Sequence, residues 1–509
     1  MTGGESIDRR TVARGASMAM LSRTGALIEA VAQPLYIWLF GLAAYGIFVT
    51  LWAAMNLVSK FVDFSMTSAL QRLVPGEADE ARVHAVLRVA LLVGLLPALG
   101  VAVAVQWRAA AIAAFISAQA GYPLDAPVVA LFAWALPLWT FVEVATSAIR
   151  AKGAFGPEIR LRIFWEQVLR IAFALLFFVL GSANGLILAY LGSLSITALI
   201  SVRLLGRHYR LRRLLTAPAA RAPLGPTIAV GIALLPPNLA RRLLIDAPPI
   251  LLATLLPAGG AVAAGLFEVA RKISTIPHIV RQGFQYVLAP LASAQSRIDR
   301  AMLGPLYRFS TRLSAALVLP LGGFVACAGT DILSVYRPET IVALPALQML
   351  VAGRVVEAIV GPAGAVVEMI GHRLLPLLNS VLGIGVWLAL AVWLIPHSGV
   401  LGMAVAVSAG TVIMAWAGSF ELYLSDGLRI WDRWLARCLG IGIGGLLAML
   451  AILAVLAGPV RFAALAMVWL AASWLAMRYG LAPDDRTALG GVGARLRLAR
   501  GLGDGGGAD

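Results

Sequence analysis

The sequence predicts an all-α polytopic membrane protein of about 14 transmembrane helices, and three observations carry that prediction. Of its 509 residues, 60% are hydrophobic. Only 13% are charged, where soluble domains carry about 25%. Apolar stretches long enough to cross a bilayer recur from end to end, and the mean hydropathy is +0.88.

A hydrocarbon core about 30 Å thick requires about 20 apolar residues per helix. Stretches that meet this run over 16–40, 42–66, 86–106, 126–148, 161–181, 184–204, 227–256, 261–288, 308–330, 343–369, 374–396, 399–424, 436–457 and 460–480. The opening "MTGGESIDRRTVARG" is polar and basic, without the apolar core and cleavage site of a signal peptide, so the first span is expected to stay as an anchor. Arginine placement sets orientation, because cytoplasmic loops are enriched in basic residues. With the N-terminus inside, the inner loops hold Arg9, Arg10, Arg72, Arg150, Lys152, Arg207, Arg213, Arg297, Arg373, Arg429 and Arg433, while the outer loops hold only Arg108, Arg337 and Arg461. An even number of spans returns the C-terminus to the cytoplasm.

The charge of +16 comes from 41 basic and 25 acidic residues. In a membrane protein this points to loops lying against anionic lipid headgroups, not to nucleic acid. The basic stretch "RLLGRHYRLRRLLTAPAARAP" (203–223) reads as a linker. Cys327 and Cys438 lie in apolar segments, against a disulfide framework. No histidine pairs with a cysteine at metal-ligand spacing, and neither GxxxxGK[ST] nor GxSxG occurs. Asp484-Asp485, the only adjacent aspartates, read as a solvated turn. No cofactor and no catalytic constellation are expected, so the chain does not read as an enzyme.

An internal repeat organises the spans. "AAYGIF" (43–48) parallels "VAAGLF" (262–267), placing Gly46 and Gly265 in register. Arg23 with Arg242, Gly153 with Gly371, and Arg88 with Arg308 keep the same offset of 218–220 residues. Six spans separate the copies, so orientation is preserved and the halves are parallel repeats, an arrangement that places a substrate path at the repeat interface. The expected organisation is a cytoplasmic N-terminus (1–15), an N-lobe (16–204), a basic linker (205–225) and a C-lobe (226–424). Two C-terminal helices (436–480) and a cytoplasmic tail (481–509) follow.

Three segments carry a family resemblance: "AAYGIFVTLWAAMNLVSKFVDFSMTSALQRLV" (43–74), "AGLFEVARKISTIPHIVRQGFQYVLAPLASA" (264–294) and "VVEMIGHRLLPLLNSVLGIGVWLALAVWLIPHSGVLGMAVAV" (366–407). In these the chain resembles the polysaccharide-biosynthesis flippases of the multidrug/oligosaccharidyl-lipid/polysaccharide (MOP) exporter superfamily. The resemblance implies two six-helix lobes around a central cavity. It also implies flipping of undecaprenyl-pyrophosphate-linked oligosaccharides across the bacterial inner membrane by alternating access, for O-antigen, capsule or exopolysaccharide assembly. The implied partners are that lipid-linked substrate and a polysaccharide polymerase with other assembly proteins. By the same resemblance, Arg23 and Arg271 would contact pyrophosphate. The first-span motif departs from lipid II flippases, with only Thr24 between its arginine and glycine.

Charges within the spans are the candidate site, since each costs at least about 2.5–3.5 kcal/mol near the bilayer centre. Arg23 lies about 25 Å from the outer end of its span at 1.5 Å per residue, in the cytoplasmic third. In "NLARRLLIDAPPILLATLL" (238–256), Pro236-Pro237 is expected to start a helix capped by Asn238. Arg241 and Arg242 then either snorkel to the interface or, for Arg241, meet a ligand, while Asp246 lies one turn from Arg242. Arg271 and Lys272, Arg170 and Arg354 lie deeper, near Glu268, Glu166 and Glu357 respectively. They are either structural pairs or cations for a phosphorylated headgroup, which the planar guanidinium fork suits. Glu29, Asp63 and Glu143 are candidates for ion coupling or charge pairing, with Lys60 three residues before Asp63. A cation-coupled multidrug antiporter and a membrane-embedded glycosyltransferase or ligase are the competing functions.

Overall fold

The computed structural model of the chain describes residues 28, 32–75, 77–212, 224–256, 259–296, 303–370 and 375–489. They form helices and connecting turns, with no strand among the described residues. In lipid this is the expected economy, because a helix satisfies its own backbone hydrogen bonds. Among the described residues, nine helices are long and apolar enough to cross a bilayer. Their outward faces carry Leu96, Val103, Val392, Leu447 and Leu470, all exposed. The chain is a polytopic all-α membrane protein. It divides into two compact units, Met1–Gly265 and Leu266–Asp509.

In the first unit, a helix over 32–40 (α1) ends at Gly41 (φ 85), and α2 (Leu42–Val62) follows. It stops at Asp63 because Phe64 and Ser65 take φ of 45 and 55, a left-handed conformation that non-glycine residues rarely adopt. Beyond this break comes α3 (Met66–Leu73). The next helix, α4 (Glu80–Trp107), is capped by the Asp79 side chain, which accepts from the Ala81 N–H at 2.8 Å. Then come α5 (Ala109–Ala120), α6 (Ala126–Ala133) and α7 (Ala135–Ala151). A π-helical turn (Ile159–Trp165) leads into α8 (Glu166–Val179), followed by α9 (Gly185–His208). Met66, Leu70, Leu87 and Ile149 pack as one core, which Tyr209 closes by donating its hydroxyl to the Ala148 carbonyl at 2.8 Å.

The last long helix of this unit is α10 (Leu224–Leu255). The break expected at Pro236-Pro237 is a bend of 45° between Leu224–Ala233 and Asn238–Leu255. Asn238 reaches outward, and its Nδ2 donates to Ser65 and Ser68 Oγ, each at 3.3 Å. Gly231 lets α10 approach the break after α2, since a Cβ there would overlap the Phe64 carbonyl oxygen.

The boundary between the units falls within α11 (Gly260–Ser296). The second unit continues with α12 (Leu303–Cys327), α13 (Leu344–Ile359), α14 (Ala363–Ile370) and α15 (Leu375–Asp426). Helix α15 is two helices joined at Gly399 (φ 51, ψ -122), three residues after Pro396 and at the first residue of the expected span 399–424. Two last helices, α16 (Arg433–Val455) and α17 (Gly458–Leu475), pack on α12. Cys327 and Cys438 are buried free thiols.

The reading of Asp484-Asp485 as a solvated turn is corrected here. Asp485 is buried, and its Oδ2 accepts from Arg312 Nη1 at 2.6 Å. The same guanidinium also donates to Asp432, the N-cap of α16. The tail is drawn in because a cation inside the bundle needs compensating charge.

Candidate functional site

The first unit buries a four-charge cluster at the broken end of α2. Lys60 Nζ donates to Glu143 Oε2 of α7 at 2.5 Å and lies 3.7 Å from Asp63 Oδ2. Arg162, in the π-helical turn, approaches the other Glu143 oxygen to 3.7 Å, with its guanidinium 4.6 Å from the Trp139 ring centre. Two acids and two bases nearly cancel, which offsets part of the desolvation that each would suffer alone. Asp63 Oδ1 accepts the Ser65 N–H at 2.8 Å and so braces the left-handed turn. Lys60 therefore has one carboxylate bonded and a second one close by. One turn before Lys60, both amide atoms of buried Asn56 lack a hydrogen-bond partner among the described residues.

Most of the remaining predicted charges form pairs along their own helices, where residues three or four apart share a face. Arg170 Nη2 donates to Glu166 at 2.6 Å, and its guanidinium lies 4.8 Å from the ring centre of buried Tyr190. Arg242 stands 3.5 Å from Asp246, as the four-residue spacing predicts. In the second unit, Arg271 donates through Nε and Nη2 to Glu268 at 2.8 and 2.6 Å, while Lys272 beside it is half-buried. Arg354 Nη1 donates to Glu357 at 3.0 Å.

The structure thus joins Asp63 and Glu143, 80 residues apart in the chain, through Lys60. Arg23, Glu29 and the Arg241 side chain lie outside the described residues. Two functional-looking arginines escaped sequence reasoning. Arg162 stands at the mouth of its span in "IRLRIFW", where the structure forms a π-helical turn, a local irregularity enriched at functional sites that the sequence does not announce. Arg312 lies inside the ninth predicted span with no acid within four residues, and that isolation was its signal. Among the described residues no group of His, Cys, Asp and Glu could hold a metal.

No protein-family model matches the sequence, and no curated protein does. The fold, by contrast, is similar to several solved structures. The lipid II flippase MurJ in its inward closed conformation superposes with a TM-score of 0.68 at 11% identity, over 90% of this chain and 98% of that one. An inward-facing multidrug resistance MATE transporter of the MOP superfamily gives 0.58 at 16% identity, over 78% and 96%. A MOP superfamily transporter from Pyrococcus furiosus gives 0.56 at 17%, over 79% and 94%. The chain has the fold that a lipid II flippase shares with multidrug transporters of the MOP superfamily.

Proposed function

We propose that this chain flips an undecaprenyl-pyrophosphate-linked oligosaccharide across the bacterial inner membrane, with both termini in the cytoplasm, for O-antigen, capsule or exopolysaccharide assembly. The observation that carries the reading is the half-buried adjacent pair Arg271-Lys272 on α11, in a chain whose fold is similar over 90% of its length to that of a lipid II flippase. A guanidinium has five N–H donors, and Glu268 receives two hydrogen bonds from Arg271. Glu268 then serves to hold the fork in one orientation for phosphate oxygens. By their places in the sequence, Arg23 and Arg241 are the cations assigned to meet the headgroup first. Arg170 and Arg354, each paired with a glutamate on its own helix, brace the helices that surround the path. Rocking of the repeats carries the headgroup across while the lipid tail stays in the bilayer.

A cation-coupled antiporter is the second reading, favoured by Asp63 and Glu143 arranged around Lys60. Proteoliposomes loaded with a labelled undecaprenyl-pyrophosphate oligosaccharide distinguish the two through its accessibility to an enzyme added outside. Flipping above that of empty liposomes, reduced at least tenfold in Arg271→Ala that remains folded, is expected. Movement equal to empty liposomes with a native-like sugar would favour the antiporter.

A further inference from the structure

The C-terminal half of α15 presents three aromatic side chains on one side. Trp416, Phe420 and Tyr423 follow at intervals of four and three residues, which stacks them along a single helix face. All three are exposed. With Val360 and the segment 428–431 they enclose a cavity of about 460 Å³.

The segment over this cavity is fixed in place. Gly427 turns the chain with φ 65, and the Leu428 N–H donates to the Leu422 carbonyl at 3.1 Å. Ile430 is buried beneath it. Asp432, held by Arg312, caps α16 by accepting from the Trp434 and Leu435 N–H groups at 3.0 and 2.8 Å. Trp431 consequently faces Trp416 across the opening, with ring centres 6.3 Å apart.

Its charge is one-sided. The Arg429 guanidinium lies 5.4 Å from the Tyr423 ring centre and has no ion pair among the described residues. Arg433 and Arg437 lie 5.1 and 4.8 Å from the Trp434 ring centre, also without a carboxylate partner among the described residues. Of the neighbouring acids, Asp432 is bound to Arg312 and Asp426 accepts from Ser425. Arginines on aromatic rings at the ends of apolar helices belong at headgroup depth, where amphipathic rings concentrate. The cavity is lined mainly by aromatic and aliphatic side chains, with Ser419 and Arg429 as its polar members.

We infer that this cavity binds an anionic phospholipid of the surrounding bilayer, with one acyl chain against Trp416 and Phe420 and the phosphate at Arg429. Acyl chain and aromatic wall supply affinity, and the unpaired guanidinium supplies the preference for negative charge. Because the covering segment is held before the lipid arrives, little ordering cost opposes binding. The site is separate from Arg271-Lys272 and does not depend on what is transported.

The test places the full chain in nanodiscs containing bromine-labelled phosphatidylglycerol or bromine-labelled phosphatidylcholine at equal bromine content. The Trp431 signal is read as the difference between the wild type and Trp431→Phe. Half-quenching at about a fivefold lower mole fraction of the anionic lipid is expected, the scale of one arginine near a membrane surface. Arg429→Gln should abolish the preference, and Arg429→Lys should keep most of it. Equal quenching by the two lipids in the wild type would overturn the inference, whether or not the variants fold. So would a preference that survives unchanged in a folded Arg429→Gln.

Discussion

Gly46 and Gly265 meet backbone to backbone where α2 crosses the start of α11. A Cβ on Gly265 would stand 2.9 Å from the Leu42 carbonyl oxygen and 3.4 Å from Gly46 Cα, and one on Gly46 would overlap the Ala261 carbonyl oxygen. Small residues at such crossings let helices approach closely enough for dispersion to hold them in lipid, where no hydrophobic effect drives association.

Gly46→Ala should therefore destabilise the folded chain by about 1–3 kcal/mol, the usual cost of overpacking. Gly41→Ala serves as the comparison for a glycine required by its φ of 85, with nothing within reach of its Cβ. Thermal unfolding followed by size-exclusion in detergent checks both. A Gly46→Ala variant as stable as the wild type would mean that the crossing relaxes freely.

Lys60 and Glu143 make a second prediction. Removing either partner of a buried pair leaves an uncompensated charge, at a cost of about 3–5 kcal/mol. Lys60→Met and Glu143→Gln should each lower stability on that scale. The double variant should recover much of the loss, and a double-mutant cycle on unfolding midpoints measures how much. Strict additivity of the two losses would show that the pair is not coupled.

Acid should loosen the C-terminal helices first. Burial alone would raise the Asp432 carboxyl, but hydrogen bonds from Arg312 and from the Leu435 and Trp434 amides outweigh it and hold the group below its ordinary value of 3.8. A depressed folded-state value means the stabilisation is complete above the ordinary one and is lost as pH falls through the lower one. Hydrogen exchange over Arg433–Val455 should accelerate below about pH 4 in the wild type. Asp432→Asn should exchange faster at neutral pH and respond less to acid.

If Glu268 orients Arg271 for phosphate, Glu268→Asp should keep the negative charge but withdraw the two-point contact that aims the guanidinium. Binding of undecaprenyl pyrophosphate should then weaken by roughly tenfold, near the lower limit for a hydrogen bond to a charged group. Unchanged affinity, measured by titration in detergent, would assign the pair a purely structural role.

The architecture was legible because spans declare themselves by length and hydropathy, and same-helix pairs such as Glu166–Arg170 and Glu268–Arg271 by spacing alone. The parallel between "AAYGIF" and "VAAGLF" set Gly46 and Gly265 in register, yet nothing in a one-dimensional pattern states that the two glycines touch. The bond between Lys60 and Glu143 was hidden for a related reason: it joins helices far apart in the chain, and Lys60 had a nearer acid in Asp63. Asp485 misled because its local sequence is polar. Its burial is set by Arg312, which lies 173 residues away.

That separation orders events during biosynthesis. Arg312 enters the bilayer when Asp432 is 120 residues from being made and Asp485 is 173. At about 5–20 residues per second, roughly 6–24 s separate the synthesis of Arg312 from that of Asp432, and about 9–35 s separate it from Asp485. The Arg312 cluster is therefore completed only when the last helices have been translated, and a chain truncated before Asp432 holds Arg312 without either of its carboxylates.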